Sequence, residues 1–357
     1  MVSVPIDLSA IVIARNEEVR IRAVLTSVLE NLREAQAAGL AGPSEVILAD
    51  SASTDRTVEI ARTLPIRIVQ LRAEWPLSAS AGRYIGRLAA RGRRFLLVDG
   101  DLVLDRGFLV GALPHMKGDV GALCGVIQEH RAGGRSVLLD RIRAENAGLA
   151  TREPEAVPIG LYDRAALDRV GSYQPFLRGG DDREVARRLR ELGYRVLQIP
   201  LPMGTHFWSD RGTLDYITYF QSVANWSFGD GQVVRSLVRG ASRRRLLGRY
   251  ATVRILLINW MGLALGGMIA ASLSFLAVPA VWPGSALAAA ILGASLLAAK
   301  SRGQSTWREM ISELYAIPYT LIQQGCLLLG MLRGVRPAAS YPRDYVTVQD
   351  PDGGESA

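Results

Sequence analysis

Short apolar segments rich in β-branched residues alternate with longer amphipathic segments between Leu8 and Ile199. The apolar segments predict strands at Leu8–Ala14, Glu45–Ala49, Ile66–Leu71, Phe95–Val98, Val120–Ile127 and Tyr194–Ile199. The amphipathic segments predict helices at about Glu17–Ala38, Arg56–Leu64, Ala79–Arg91 and Asp182–Leu192. Strands that are apolar along their whole length are typical of sheets buried on both faces. The alternation therefore predicts an α/β fold, with a mixed but mostly parallel sheet and helices on both of its faces.

The pattern changes after residue 212. Residues 213–254 combine aromatic residues with many arginines, which predicts amphipathic helices lying at a membrane surface. Residues 255–299 contain no Asp, Glu, Lys or Arg, and a turn near Pro279–Gly284 divides them into two apolar segments. Each segment is near the roughly 20 residues needed to cross a bilayer, so we expect a transmembrane helical hairpin. A buried helical hairpin of a soluble domain is the alternative.

Residues 300–357 are more polar than the hairpin. Lys300, Arg302 and Arg308 follow the hairpin, so basic residues flank both of its ends and both ends are expected to face the cytoplasm. The segment Ile311–Leu332 contains a charged residue and a proline, which favours an interfacial helix over a third membrane helix. A polar C-terminal tail follows. The predicted organisation is a globular domain at 1–212, interfacial helices at 213–254, the hairpin at 255–299 and this last region.

Charge and hydropathy support a membrane-attached protein. The chain of 357 residues carries a net charge of +8 and has a mean hydropathy of +0.15, which is high for a wholly soluble protein. Seven arginines between Arg235 and Arg254 precede the hairpin and favour contact with anionic membrane lipids. Nucleic acid is the competing partner for a basic segment, but this segment adjoins a bilayer-length apolar stretch, so we expect no nucleic acid partner.

Cysteine use and the N-terminus indicate the compartment. The two cysteines, Cys124 and Cys326, have no spacing typical of a zinc site or a disulfide framework, which favours a reducing compartment. The first residues lack the charged and apolar regions of a cleavable signal peptide. We therefore expect a multi-pass protein of the cytoplasmic (inner) membrane, with its N-terminal domain in the cytoplasm.

Asp99-Gly100-Asp101 is the strongest chemical signal, because it directly follows the apolar strand Phe95–Val98. Carboxylate oxygens are the ligands that Mg²⁺ and Mn²⁺ prefer, and open α/β sheets bind ligands at the carboxyl ends of their strands. The pair therefore suits a metal-bound diphosphate. A polar turn that closes a strand selects the same residues, so the motif alone does not decide between the two.

Two more polar clusters follow predicted strands. Arg15-Asn16-Glu17 comes after the first strand, and Asp50 to Thr57 comes after the second. Helix capping explains either cluster taken alone. With Asp99-Gly100-Asp101, polar clusters follow three strands whose ends converge on one edge of the sheet. Helix capping does not explain this convergence, so the three clusters together predict a ligand-binding crevice.

These residues resemble the motifs of glycosyltransferase family 2, whose members are inverting enzymes with the GT-A fold. Asp50 to Thr57 matches the family pattern Asp-x-x-Ser-x-Asp-x-Thr, and Asp99-Gly100-Asp101 matches Asp-x-Asp. Asp181-Asp182 stands where the family usually has Glu-Asp, at the start of a helix. The resemblance covers roughly residues 8–200. It implies transfer of a sugar from a nucleotide-diphosphate donor, with UDP favoured, and Mg²⁺ or Mn²⁺ as cofactor.

The resemblance also implies roles for particular residues. Those expected to contact the nucleotide sugar are Ala14, Arg15, Asn16, Glu17, Asp50, Ser53, Asp55, Arg83, Asp99 and Gly100. Those expected to ligate the metal are Asp101, Asp99 and His206. A solvated helix position is the alternative for Arg83, and a structural histidine is the alternative for His206.

Asp182 is the predicted catalytic base. A hydroxyl acceptor needs a carboxylate to remove its proton during displacement at the anomeric carbon, an effect of typically about 10²–10⁴-fold. Because Asp181 replaces the usual Glu, either of the two carboxylates could face the acceptor.

The acceptor is expected to be lipid-linked, or a glycan, at the cytoplasmic membrane face, in polysaccharide or glycolipid biosynthesis. Gln221 to Trp226 lacks the Gln-x-x-Arg-Trp pattern of processive synthases, which favours single addition. A polyprenyl-phosphate sugar synthase is one alternative, since a phosphate nucleophile is already ionised and needs no base. A non-catalytic GT-A scaffold in a membrane complex is another. A sugar-1-phosphate nucleotidyltransferase is disfavoured, because the first strand is not followed by a Gly-rich phosphate loop.

Overall fold

The computed structural model describes residues 5–130, 150–207, 224–235 and 317–351, with the side chains of 129–130 and 317–324 left aside. The chain divides into two units, residues 1–216 with 336–357 and residues 217–335. The predicted hairpin at 255–299 lies outside the described residues and stays a prediction. The same holds for most of the predicted interfacial segment 213–254.

The described part of the first unit contains a nine-stranded sheet. Its strands are β1 (Leu8–Ala14), β2 (Ser44–Asp50), β3 (Arg67–Gln70), β4 (Arg94–Asp99), β5 (Leu102–Leu104), β6 (Val120–His130), β7 (Gly160–Asp163), β8 (Arg195–Phe207) and β9 (Val346–Gln349). Their order in the sheet is β5-β8-β6-β7-β4-β1-β2-β3-β9. Strands β4, β1, β2 and β3 are parallel, so their carboxyl ends meet at one edge, as the predicted crevice requires.

Helices connect and cover these strands. They are α1 (Ile21–Ala37), α2 (Thr57–Ala61), α3 (Ala79–Ala89), α4 (Phe108–Ala112), α5 (Arg164–Arg169) and α6 (Asp181–Glu191), with short 3₁₀ turns at Leu113–His115 and Ala338–Ser340. The four predicted helices correspond to α1, α2, α3 and α6. All seven residues of β1 are buried, which confirms that this strand is covered on both faces.

Helix α3 lies unusually close to the sheet. A Cβ atom on Gly86 would be 2.3 Å from Cγ2 of Ile11, so only glycine permits the approach at this point. Gly82, one turn earlier, also faces β1 through Ile13. Because a crossover helix runs antiparallel to the strands that it connects, the N-terminal turns of α3 lie at the carboxyl edge of the sheet. This packing brings Arg83 under the predicted crevice.

The sheet is more mixed than the sequence predicts. Strands β5, β7 and β9 each pair antiparallel with their neighbours, so the described sheet contains four antiparallel pairs beside four parallel ones. These three strands have only three or four residues each, too few to show a period in the sequence.

Strand β9 also changes the predicted domain boundary. It lies in the region expected to be a polar tail, but it pairs antiparallel with β3 at the edge of the sheet. Residues 336–351 therefore belong to the same unit as the strands before residue 212.

The described part of the second unit consists of two helices, α7 at 224–235 and α8 at Ile317–Arg333. They cross where glycine removes the side chain: a Cβ on Gly231 would lie 2.0 Å from the carbonyl oxygen of Leu327, and one on Gly330 would lie 2.0 Å from that of Phe228. Helix α8 occupies the segment expected to be an interfacial or third membrane helix. Among the described residues, none of the helices has both the length and the apolar character that crossing a bilayer requires.

Candidate active site

A pocket of about 260 Å³ opens at the carboxyl ends of β1 and β4. Six of the predicted donor or metal residues line it, namely Ala14, Arg15, Glu17, Asp99, Gly100 and Asp101. The other lining residues are Ile13, Ser51, Leu77, Ser78 and Ala79. A Cβ on Gly100 would lie 2.8 Å from the Cβ of Ala14, so glycine is what allows the end of β4 to close against β1. A cavity therefore lies at the edge of the sheet where the sequence predicts a binding crevice.

The loops after β1 and β2 brace each other beside this pocket. The backbone N–H of Asn16 donates to Oγ of Ser53 (2.9 Å), and its Oδ1 accepts from the backbone of Thr54 (2.8 Å). Asn16 and Ala52 both have left-handed backbones, with φ of 59° and 55°. Asparagine tolerates this region and alanine does so at a cost of about 1–2 kcal/mol, so the crossed hydrogen bonds hold a strained pair of turns. Asn16 and Ser53 thus stabilise the backbone of the loops beside the pocket.

Asp50 is fully buried and does not line the pocket. Its carboxylate accepts hydrogen bonds from the backbone and hydroxyl of Ser53 and from Nε2 of Gln70 (2.8 Å). Sequence reasoning gave this carboxylate to the nucleotide base. In the structure it organises the turn after β2, and its neighbour Ser51 faces the cavity in its place.

Asp55 also has a structural position. Its Oδ1 accepts from the backbone and hydroxyl of Thr57, and its Oδ2 accepts from the backbone of Glu18 (3.0 Å). Burial by itself would raise the pKa of Asp55, but these hydrogen bonds outweigh it and lower the pKa below the usual Asp value. In the structure Asp55 ties the two loops together, and its nucleotide contact stays a prediction.

Arg83 connects the pocket to the start of α6. One guanidinium nitrogen donates to Oδ1 of Asp99 (2.7 Å), and another donates to Oδ2 of Asp181 (2.8 Å). The side chain is only 5% exposed, and its guanidinium packs over the ring of Tyr173 at 5.9 Å from the centroid. Sequence reasoning offered a diphosphate contact or a solvated position for Arg83. The structure instead places it as a buried bridge between two predicted site carboxylates.

The bridge changes the proton affinities of its members. Burial would lower the pKa of Arg83, but the carboxylates of Asp99 and Asp181 raise it well above the usual Arg value, so the guanidinium stays charged. Burial raises the pKa of Asp99, the positive charge of Arg83 opposes this effect, and the nearby charge of Asp101 reinforces it. The net direction for the pKa of Asp99 is upward, because burial, with the charges of Asp101 and Asp181, outweighs Arg83 and His206.

Asp181 and Asp182 open α6 but differ in their surroundings. Gly180 precedes them with φ of 70°, and Asp181 is 5% exposed and engaged by Arg83. Asp182 is partly exposed, and its pKa is raised by burial and by the negative charge of Asp181. A carboxylate whose pKa is raised by burial and by a neighbouring charge is a candidate for taking up a proton in catalysis. The structure therefore distinguishes the two carboxylates, which the sequence could not do.

Asp101 and His206 meet at the other side of the pocket. Nε2 of His206 lies 3.1 Å from Oδ2 of Asp101, and both side chains are partly exposed. Antiparallel pairing of β5 with β8 sets this contact, since Leu102 is opposite His206. Among the described residues, no cluster of three or more His, Cys, Asp or Glu side chains is arranged to hold a metal ion by itself.

Sequence reasoning missed the wall formed by Leu77, Ser78 and Ala79. Ser78 accepts a hydrogen bond from the backbone of Ala81 (3.1 Å) and so caps α3. The segment Pro76-Leu77-Ser78 carries a capping signal before a predicted helix, which could have marked it as a strand-to-helix loop at the same edge.

Residues 9–176 match the family model described as glycosyl transferase family 2. The match supports a glycosyl transferase family 2 domain. The matched residues include the pocket lining, Arg83 and Asp101, whereas Asp182 and His206 lie beyond them. A search of curated protein sequences found no match.

Solved structures that resemble the chain do so at low identity. TarS 1–349 of S. aureus has 14% identity and a TM-score of 0.42, over 92% of this chain and 91% of that chain. The same protein in complex with UDP-GlcNAc has 15% identity and a TM-score of 0.43, with the same coverage. GalNAc-T7 with UDP, GalNAc and Mn²⁺ has 15% identity and a TM-score of 0.47, over 66% of this chain and 52% of that chain.

Proposed function

We propose that the chain is an inverting glycosyltransferase that moves a sugar from a UDP-type nucleotide-diphosphate donor to a lipid-linked or glycan acceptor. The observation that carries this proposal is the bridge Asp99–Arg83–Asp181. It holds a carboxylate of the pocket and the carboxylate next to Asp182 on a single guanidinium. The donor pocket and the candidate base are thereby parts of one site, as a transfer reaction requires.

The donor nucleotide occupies the pocket at the ends of β1 and β4. Ile13 and Leu77 supply apolar surface for the base, and Ser51 and Ser78 supply polar groups. The volume of about 260 Å³ is below the roughly 300–1,000 Å³ of sites that enclose a whole drug-sized ligand. The pocket therefore suits the nucleoside, while the diphosphate and sugar extend along Asp99 and Asp101.

A divalent cation fits beside Asp101 and His206. A carboxylate and an imidazole within 3.1 Å of each other suit Mn²⁺, and Mg²⁺ would rely on Asp101 with water. Asp99 already has one oxygen on Arg83, and its second oxygen would contact the ribose or a metal-bound water. When bound, the cation neutralises the charge of the departing diphosphate.

Asp182 acts as the general base. It accepts the proton of an acceptor hydroxyl as the new bond to the anomeric carbon forms and the bond to the diphosphate breaks. Because the nucleophile and the leaving group are on opposite faces of that carbon, the anomeric configuration inverts. Asp181, held by Arg83, positions the start of α6 and keeps a negative charge beside the base.

The acceptor and the location are proposed from the sequence. The uncharged segment 255–299 and the arginines before it support a protein of the cytoplasmic membrane, with the family 2 domain on the cytoplasmic side. An acceptor carried on a membrane lipid suits an enzyme held at that surface.

Donor binding is the first test. Full-length protein in detergent is heated with UDP-, GDP- and dTDP-sugars, each with Mn²⁺, Mg²⁺ or a chelator. A bound ligand at 100 times its Kd stabilises a protein by about 2.7 kcal/mol, so we expect a rise in Tm of several degrees with a UDP-sugar and metal. Asp101→Asn should lose the metal-dependent part of this rise, while Asp119→Asn, an exposed matched control, should keep it.

Transfer is the second test. Radiolabelled UDP-sugar is incubated with the protein and with membrane lipid extract, and the anomeric configuration of the product is measured. We expect labelled lipid of inverted configuration. A protein that binds no nucleotide sugar under any condition, or that gives a product of retained configuration, contradicts the proposal.

A further inference from the structure

The C-terminal residues 337–350, which we call the C-terminal strap, pack against the start of β3 and the loop before α3. Strand β9 anchors one end: Nε2 of Gln349 donates to the carbonyl oxygens of Leu64 (2.8 Å) and Ile66 (2.9 Å). Arg67 forms an ion pair with Asp350 at 3.0 Å, with both side chains about one-fifth exposed. The strap is thus attached on both sides of the start of β3.

Tyr341 anchors the other end of the strap. It is 2% exposed although it lies outside the helices and strands, directly after the 3₁₀ turn Ala338–Ser340. Its ring makes edge contacts with Trp75 (5.7 Å), Tyr84 (5.9 Å) and Phe176 (5.2 Å between centroids). Burial of this kind, in a ring of aromatic partners, is a strong packing interaction. The side chain fills the space between α3 and two loops.

Both of those loops belong to the proposed site. The hydroxyl of Tyr341 donates to the carbonyl oxygen of Pro76 (2.9 Å), the residue directly before the pocket wall Leu77-Ser78-Ala79. Burial raises the pKa of Tyr341 to about 12, so the hydroxyl keeps the proton that it donates at any ordinary pH. Phe176 lies on the loop that leads to α6 and Asp182.

The two loops are also joined directly to each other. The hydroxyl of Ser78 donates to the carbonyl oxygen of Pro175 (3.2 Å), and that of Ser80 donates to the carbonyl oxygen of Gln174 (2.7 Å). Tyr341 therefore packs against two hydrogen-bonded loops. One of them lines the donor pocket, and the other leads to Asp182. The strap itself contributes no residue to the pocket lining.

We propose that Tyr341 is a positioning residue for donor binding, which sets the pocket wall at residues 77–79 through its hydrogen bond to Pro76 and its aromatic contacts. The inference rests on the proposed function, since it assigns the donor nucleotide to this pocket. It gives the C-terminal strap a role in affinity for the nucleotide, in addition to its place in the sheet.

The test compares three full-length variants in UDP binding with Mn²⁺. Tyr341→Phe removes only the hydroxyl, Tyr341→Ala removes the ring as well, and Tyr345→Phe makes the same phenol-to-phenyl change elsewhere in the strap. The bond lies within the protein, so its loss lowers stability modestly, and it changes affinity by at most about two- to tenfold, when its whole contribution is felt in the bound state. We expect the Kd of UDP and the donor KM to rise by up to that factor in Tyr341→Phe, with kcat close to wild type and a fall in Tm of a few degrees at most. Tyr345→Phe should leave all of these values unchanged.

Hydrogen exchange supplies a readout that needs no ligand. If Tyr341 holds the wall, the amides of residues 77–81 should exchange faster in Tyr341→Phe, while amides far from the strap exchange as in wild type. This conservative variant also covers the case in which Tyr341→Ala fails to fold.

Three results would overturn the inference while leaving the proposed function intact: an unchanged Kd in Tyr341→Phe, an equal loss in Tyr345→Phe, or a lower Tm with wild-type affinity. If the wild-type protein binds no nucleotide, the proposed function and this inference both fail.

Discussion

A cluster of arginine and carboxylate groups lies at each end of the same pair of strands, β1 and β4. At the amino ends, Asp7 accepts hydrogen bonds from the side chains of Arg93 and Arg94 and from the backbone of Gly42 (2.8 Å). At the carboxyl ends, Arg83 donates to Asp99 and Asp181. In the first cluster two arginines bind one carboxylate, whereas in the second cluster one arginine binds two carboxylates.

The opposite ratios have opposite electrostatic consequences. Burial would raise the pKa of Asp7, but the hydrogen bonds from Gly42, Arg93 and Arg94 outweigh it and lower the pKa. At the carboxyl ends the pKa values of Asp99 and Asp182 are raised, because burial and neighbouring carboxylates dominate. The first cluster is saturated and serves stability. The second retains negative charge that a cation or a proton can neutralise, which is what a site for a metal-bound diphosphate and a general base needs.

The largest expected effect is that of Asp182→Asn. Loss of a general base lowers the rate of transfer to a hydroxyl acceptor by about 10²–10⁴-fold, while the affinity for UDP with Mn²⁺ stays near wild type. Asp7→Asn serves as the control at the other cluster and should keep kcat. Transfer to a polyprenyl phosphate that survives in Asp182→Asn would instead favour the alternative of a lipid-phosphate acceptor, since that nucleophile needs no base.

Arg83→Met should show the next largest effect. It leaves the buried Asp181 and the partly buried Asp99 without their cation, and breaking a buried pair costs about 3–5 kcal/mol of unfolding free energy. Arg94→Met, at the saturated cluster, leaves Arg93 and Gly42 on Asp7 and should cost only about 1–3 kcal/mol. Urea unfolding at pH 7 measures both. Equal losses in the two variants would remove the distinction between the clusters.

Asp7→Asn should destabilise the protein by about 1–3 kcal/mol without changing kcat or KM. The sign of the pH dependence follows from the lowered pKa of Asp7: its contribution is fully present above the unfolded value of about 3.9 and is lost as pH falls through the lower folded pKa. The difference in stability between wild type and Asp7→Asn should therefore shrink in acid. A constant difference between pH 7 and pH 3 would contradict this role.

The smallest expected effect is a shift in the pH profile of kcat/KM. Because the pKa of Asp182 is raised, the acidic limb should lie above the ordinary Asp value of about 3.9, with activity falling as pH falls through it. Asp181→Asn removes a neighbouring negative charge, lowers the pKa of Asp182 and should move the limb to lower pH. Glu191→Gln, at the far end of α6, is the matched control and should leave the limb in place.

Local pattern was enough to predict the elements on which the site depends. The bounds of β1 at Leu8–Ala14 were predicted correctly, and β2, β4 and α3 were predicted to within two residues at each end. An apolar run followed by polar residues predicts a strand and its end without knowledge of the rest of the fold. Because ligands bind at the carboxyl edge of such sheets, Asp99 and Asp101 are then expected beside Arg15 and Glu17. The pocket found there contains all four residues.

The partners of the polar side chains could not be predicted in this way. Asp50 was expected to face the nucleotide, but Ser53 and Gln70 occupy its carboxylate and bury it. Arg83 had no predicted partner, since its two carboxylates are 16 and 98 residues away in the chain. Asp181 and Asp182 are equivalent by motif and differ only because Arg83 reaches the first.

By itself the amino-acid sequence determined six of the nine described strands, the ends of β1, β2 and β4 and which acidic residues follow them. These features depend on the spacing of apolar and polar residues along the chain. Only the tertiary structure decided which of those residues are buried braces and which face the pocket. It alone brought Tyr341 to Pro76, 265 residues earlier. Such contacts depend on how helices and loops pack against the sheet, and no local pattern encodes which distant side chain will fill a given space.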